Sequence, residues 1–154
     1  MAEKKIAILY VDDEENNLFS FKSVFRIKYQ VYTALSGEEA LKIMAEKPIE
    51  IIITDQRMPN MTGVEFLEQV IGKFPDPMRI LLTGYTDMNA VVDAVNKGKI
   101  FHYLTKPWNE QELDDTIAQA YAIYLQKQKL KEENEQLGTS NDQLEFLLRQ
   151  RLLS

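Results

Sequence analysis

The chain contains no cysteine and only one histidine and one tryptophan. The missing cysteines remove disulfides, thiolate metal sites and cysteine nucleophiles from consideration. Positive charge is in deficit: 18 Lys and Arg stand against 24 Asp and Glu, a formal net charge of -6. No basic patch is then available to supply the counterion release on which general nucleic-acid or membrane-surface binding depends. Long apolar runs are lacking too, since only Ile6 to Val11 separates the N-terminal Met-Ala-Glu-Lys-Lys from Asp12. That stretch is too short for a signal peptide or a membrane span, so a cytoplasmic protein is expected. There is no internal repeat, no low-complexity tract, and no Gly-x-Gly-x-x-Gly or Walker-type loop to cradle a nucleotide.

With 154 residues and 45% apolar composition, the chain can bury one ordinary core but not two. That core is organised by Ile49 to Asp55, Ile-Glu-Ile-Ile-Ile-Thr-Asp. The run is short, β-branched and closed by a Pro-containing loop, which predicts a central parallel strand covered on both faces. Other strands are expected at Lys5–Val11, Gln30–Leu35, Met78–Leu82 and Ile100–Leu104. Between them, apolar residues recur at helical spacing: Leu18, Phe21, Val24 and Phe25; then Ala40, Leu41 and Met44; then Val64, Leu67, Val70 and Ile71; then Ala90, Val91, Ala94 and Val95. Ser36 with Glu39, and Asn109 with Glu112, have the spacing of capping boxes, and Gly98 is a natural helix stop. Five strands alternating with five helices predict an α/β doubly wound parallel sheet, and 2-1-3-4-5 is the commonest order for such units.

The last helical pattern outruns the sheet. Ile123, Leu130, Leu137 and Leu144 are spaced by seven, a coiled-coil seam whose alternate positions hold Lys127, Asn134 and Asn141. Gly138-Thr139-Ser140 interrupts it. The expected organisation is therefore a domain over residues 1–125, then a helical linker or coiled-coil extension over 126–154, with a second short helix from about 141.

Strand ends carry the chemistry. A parallel sheet delivers Asp12-Asp13, Asp55, Thr83 and Lys106 to one edge, where a core-packing role predicts small or apolar residues. Converging carboxylates repel unless a cation neutralises them, and an oxygen-only set with no His or Cys nearby points to a hard ion, Mg²⁺ in a cell, with Mn²⁺ as a substitute. A nucleophilic carboxylate, a hard metal, a lysine and a hydroxyl are the parts of phosphoryl transfer. Asp55 is the expected acceptor.

Four motifs carry a resemblance: Leu-Tyr-Val-Asp-Asp-Glu at 9–14, Thr-Asp-Gln-Arg-Met-Pro-Asn-Met-Thr-Gly at 54–63, Leu-Thr-Gly-Tyr at 82–85 and Tyr-Leu-Thr-Lys-Pro-Trp at 103–108. Over residues 4–125 the chain resembles the response-regulator receiver domains of two-component phosphorelays. The resemblance implies that Asp55 is phosphorylated and that Asp12, Asp13, Asp55 and the backbone carbonyl of Arg57 hold Mg²⁺. It implies that Thr83 and Lys106 bind the phosphoryl group, that Tyr103 is an aromatic switch coupled to Thr83, and that the Lys106–Pro107 bond is cis. A sensor histidine kinase or phosphotransfer protein would be the donor, and self-dephosphorylation would follow. Arg57 and Tyr85, two residues beyond Asp55 and Thr83, are candidates for tuning the phosphoryl lifetime. Dimerisation is expected through the fourth helix, fifth strand and fifth helix, or through the C-terminal helix.

Two other functions compete. A flavodoxin-like electron carrier shares the fold, but the Asp pair opposite Asp55 would repel a flavin phosphate. An acid-nucleophile phosphatase would place an acid-base Asp where Arg57 stands. Nothing after residue 125 reads as an output domain. A receiver and linker from a larger transcriptional or cyclic-dinucleotide regulator is thus an alternative to a self-contained switch.

Overall fold

The computed structural model describes residues 4–84 and 88–137. The elements run β1 (Ala7–Val11), α1 (Glu15–Phe25), β2 (Gln30–Ala34), α2 (Gly37–Glu46), β3 (Ile51–Asp55), α3 (Gly63–Lys73), β4 (Met78–Thr83), α4 (Met88–Asn96), β5 (His102–Thr105) and α5 (Glu110–Leu137). The five strands form one parallel sheet in the order β2-β1-β3-β4-β5, a flavodoxin-like doubly wound arrangement with a long C-terminal helix.

β1 and β3 are buried at every position, as a two-sided cover demands. β2, at the sheet edge, alternates toward exposure. Side chains one residue apart point to opposite faces. Leu9, Val11, Ile52 and Leu81 accordingly join Phe66, Leu67 and Val70 of α3 and Val91 and Ala94 of α4 in one cluster. On the opposite face Tyr10 stacks on Phe21 of α1, with ring centroids 4.1 Å apart. Leu113 and Ile117 of α5 are fully buried. Each such side chain contributes roughly 1.5–3 kcal/mol relative to an exposed one.

Several strands and helices are shorter than the apolar runs. β1, β3 and β5 begin two residues later than expected, because the ladder starts only where a neighbour is in register. The Ser36 hydroxyl does accept from Glu39 N–H, at 3.1 Å, but the Glu39 carboxylate takes the Leu35 N–H at 3.4 Å. A complete capping box instead opens α3, where Thr62 and Glu65 bond reciprocally; this segment reads as plain loop from composition. The Asn109 side chain accepts from Glu112 N–H at 3.0 Å, and Gly98 ends α4 at a positive φ of 74°. The Lys106–Pro107 bond is cis.

The chain divides into two compact units, one ending at Tyr121 and the other starting at Ala122. In the second unit Leu130 and Asn134 are buried while Lys127 is exposed. The Gly138 interruption and the helix expected from about 141 lie outside the described residues. Among the described residues no helix is long and apolar enough to cross a membrane.

Candidate phosphoryl and metal site

Strand register brings the acidic residues together. Val11 pairs with Thr54, so Asp12 leaves β1 beside the end of β3. Asp55 pairs with Leu82 and Thr83 with Thr105, which sets Thr83 and Lys106 at the same edge. Carboxylate oxygens of Asp12, Asp13 and Asp55 all lie within 4.8 Å of one another. Lys106 Nζ is 2.9 Å from Asp55 Oδ1 and 3.8 Å from Asp12 Oδ2.

Each member is held differently. Asp12 is fully buried; its Oδ1 accepts from Glu14 N–H at 3.0 Å and its Oδ2 from Asn17 Nδ2 at 3.1 Å. Asp55 is 5% exposed. Burial pushes its pKa up, the Lys106 hydrogen bond and charge work against that, Asp12 adds to it, and the result stays above the ordinary carboxylate value. For Lys106, burial disfavours the ammonium, but Asp55 first, then Asp12 and Glu14, hold its pKa above the usual lysine value. Asp13 is exposed. One ammonium against three carboxylates leaves the cluster short of positive charge.

The loop after β3 is pinned from several sides. Gln56 N–H donates to the Leu82 carbonyl at 3.0 Å, Gly63 N–H to the Gln56 carbonyl at 2.9 Å, and Val64 N–H to the Gln56 side chain at 2.9 Å. A Cβ on Gly63 would run into the Asp55 carbonyl oxygen and stand 2.7 Å from Leu81 Cδ1. Glycine there lets the start of α3 lie directly against the end of β3. Arg57 is exposed and lines a cleft of ≈ 480 Å³ with Gln56, Met58, Pro59 and Thr62.

Thr83 is buried at the strand end, and its hydroxyl donates to the Gly84 carbonyl at 2.9 Å rather than to the carboxylates. Tyr103 is half-buried and packs against the cluster shared with α3 and α4. Tyr85 lies outside the described residues. His102 is an exposed strand residue, and Trp108 packs on the rings of Phe21 and Phe25 just before α5 begins. Asn17 and Gln56 are not legible as site residues, because each is a neutral amide whose hydrogen bonds only the fold brings about.

The donor set fits a hard divalent cation. With carboxylate oxygens all within 4.8 Å of one another, Asp12, Asp13 and Asp55 would be able to share one ion that prefers oxygen donors.

A family model described as the response regulator receiver domain matches residues 8–118. The chain belongs to that family. It is 38% identical over 120 residues to the hydrogenase transcriptional regulatory protein HoxA of Cupriavidus necator, covering 78% of this chain and 25% of that protein. It is 28% identical over 134 residues to the regulatory protein AtoC of Escherichia coli, covering 86% and 29%. This receiver chain thus spans about a quarter of the length of the regulators it matches. Among solved structures, a response regulator receiver domain protein from Clostridium thermocellum superposes with a TM-score of 0.71 at 33% identity, covering 81% of this chain and 98% of that one. The response regulator TrrA from Thermotoga maritima, solved in complex with Mg²⁺-BeF, gives a TM-score of 0.66 at 30% identity, covering 75% and 98%. The receiver is a phosphorylation switch, with chemistry performed on itself rather than on a turned-over substrate. A histidine kinase or phosphotransfer protein is the partner class typical of such domains.

Proposed function

We propose that Asp55 accepts the phosphoryl group and that Asp12, Asp13, Asp55 and the Arg57 backbone carbonyl hold Mg²⁺. The observation that carries this reading is the 2.9 Å contact of Lys106 with Asp55 inside a cluster of three carboxylates. When bound, Mg²⁺ supplies charge neutralisation at the acidic rim and orients the phosphoryl oxygens. Lys106 holds Asp55 in place before transfer and offers its ammonium to a phosphoryl oxygen afterwards. Thr83 supplies a hydroxyl donor once it exchanges the Gly84 carbonyl for the new anion.

Phosphorylation adds about 1.5–2 negative charges and three acceptor oxygens at Asp55. Thr83 and Lys106 are drawn toward them, and movement of Thr83 changes the space beside Tyr103. A charge event then becomes a packing event on the α4-β5-α5 face; dimerisation uses that face, the C-terminal helix, or both. The receiver is the input segment, 1–125, of a longer transcriptional regulator; the names and lengths of HoxA and AtoC support this. Arg57 and Tyr85 set the phosphoryl lifetime.

The test is Mg²⁺-dependent labelling by acetyl phosphate. Wild type should take up one group and Asp55→Asn none; a label that survives the substitution refutes the assignment. Slower or faster phosphate release in Arg57 and Tyr85 variants supports their role, and unchanged release removes it.

A further inference from the structure

The second compact unit begins at Ala122, and α5 supplies its residues up to Leu137. Burial along this stretch is one-sided. Leu130 is 8% exposed and Asn134 9%, and Ile123 is half-buried on the same face. Leu125, Lys129 and Glu132, on the other side of the helix, are exposed. On a lone helix a side chain meets only its neighbours three and four residues away, which leaves most of a leucine in water. The neighbours of Leu130 are Gln126, Lys127, Glu133 and Asn134, none of them apolar. Another segment therefore covers this face. Within the unit, which runs to Ser154, residues 138–154 are what lies beyond α5.

The sequence beyond α5 carries a matching pattern. Gly138-Thr139-Ser140 interrupts the helical run, Ser140-x-x-Gln143 has the spacing of a capping box, and Leu144, Leu147 and Leu148 recur at helical spacing. A break of this length suits the turn between two antiparallel helices. Leu144 and Leu148 stand as far beyond Thr139 as Asn134 and Leu130 stand before it, so a chain reversal at Thr139 sets the two pairs face to face. We propose that residues 141–152 close back on the Ile123–Leu130–Asn134 face of α5 and withhold that seam from a second copy of the chain. A parallel pair of copies would use the same face, Leu130 against Leu130 and Asn134 against Asn134, so the two arrangements exclude each other. The single chain already buries this face, which favours the internal occupant. Two copies join through this helix only after 141–152 has left it. The inference concerns the C-terminal route to a dimer and does not rest on Asp55 being the acceptor.

The chain has no cysteine, so introduced thiols report without background. In the full chain carrying Asn134→Cys and Leu144→Cys, or Leu130→Cys and Leu148→Cys, diamide should give a monomer-sized band that resists thiol labelling. Absence of the internal disulfide in both pairs overturns the proposal. Asn134→Cys alone should give no disulfide-linked dimer; a dimer from it means that a second copy covers the seam, and the proposal falls. Adding Leu148→Glu to Asn134→Cys should free the seam and let the linked dimer form, and failure to form it refutes the withholding. Amide exchange supplies a check without thiols. At residues 127–134 it should be at least about tenfold slower in wild type than in the Leu144→Glu, Leu148→Glu variant, at every protein concentration. Equal rates, or protection that grows with concentration, overturn the internal cover. Phosphoryl labelling of Asp55 is read in parallel: its absence in wild type would remove the acceptor assignment and leave these crosslinking and exchange results unchanged.

Discussion

Replacing Asp55 by asparagine should stabilise the metal-free protein, even though it deletes half of a 2.9 Å ion pair. Asp55 and Asp12 are both buried, and at 4.8 Å or less their repulsion is at least ~3.5 kcal/mol with an effective dielectric of about 20. Asp13 is exposed, so its repulsion of Asp55 is screened to roughly half of that. Attraction to Lys106 is about 6 kcal/mol on the same scale, reduced because that side chain is 32% exposed. These contributions nearly cancel, so the cost of burying the carboxylate decides the sign. An asparagine keeps an oxygen for Lys106 and offers an amide N–H to the remaining carboxylates.

The net gain should be about 1–3 kcal/mol, or roughly 3–8 °C in Tm for a chain of this size. The direction of the Asp55 pKa agrees. Burial first, then Asp12, raise it against the pull of Lys106. A raised carboxylate contributes stability that is fully present below its unfolded value of about 4 and is lost as pH rises through the folded value. The advantage of the variant should therefore be small in acid and grow toward neutrality. Urea or thermal unfolding in EDTA across that range is the assay. Saturating Mg²⁺ should offset most or all of that gain, since a ligand at a hundredfold its Kd adds about 2.7 kcal/mol to the wild type alone. A variant less stable than wild type at neutral pH in EDTA refutes the reasoning.

Gly63→Ala forces a Cβ against the Asp55 carbonyl and Leu81, and should cost about 1–3 kcal/mol in urea while weakening Mg²⁺ binding. Asn17→Ala removes the donor that orients Asp12 and should lower Mg²⁺ affinity about 10- to 100-fold by Trp108 fluorescence, with little change in Tm. Asp114 accepts from Lys28 at 2.7 Å and from the Tyr29 hydroxyl. Burial works against its ionised form, but the Lys28 and Tyr29 hydrogen bonds and the Lys28 charge together outweigh it and hold its pKa below the ordinary value. Its contribution, about 1 kcal/mol, is present above the unfolded pKa of about 4 and fades as pH falls through the folded value; Asp114→Asn should flatten that part of the acid limb in urea titrations.

The sheet and the edge where chemistry collects were legible because parallel strands buried on both faces must be apolar throughout. A polar residue at the end of Ile51–Asp55 has no packing explanation. Details that depend on a partner distant in sequence were not. β1 pairs with β2 only from Ala7 and with β3 only from Ile8, so its start does not coincide with its apolar run. Thr62 was hidden by a Pro- and Asn-containing neighbourhood, although Thr62-x-x-Glu65 is itself a capping spacing. Asn17 and Gln56 act through amide hydrogen bonds to groups that only the fold brings near, and neither residue type announces that.

The two acidic neighbours at the end of β1 look equivalent in sequence, yet their surroundings give them opposite responses to the same substitution. Both oxygens of Asp12 face donors: Glu14 N–H on one side, Asn17 Nδ2 and the Lys106 ammonium on the other. An amide in place of the carboxylate sets a donor against donors in either orientation. Asp12→Asn should therefore cost about 1–3 kcal/mol although it removes a charge from a crowded cluster. Asp13 is exposed, so Asp13→Asn should change stability by less than about 1 kcal/mol. Both substitutions should weaken Mg²⁺ binding, because each withdraws a charged oxygen from the set. Parallel urea and Mg²⁺ titrations of the two variants separate holding the fold from holding the ion. Equal stabilities for the two variants would mean that the hydrogen bonds around Asp12 do not help to hold the fold, and the division of roles between the pair would fall with them.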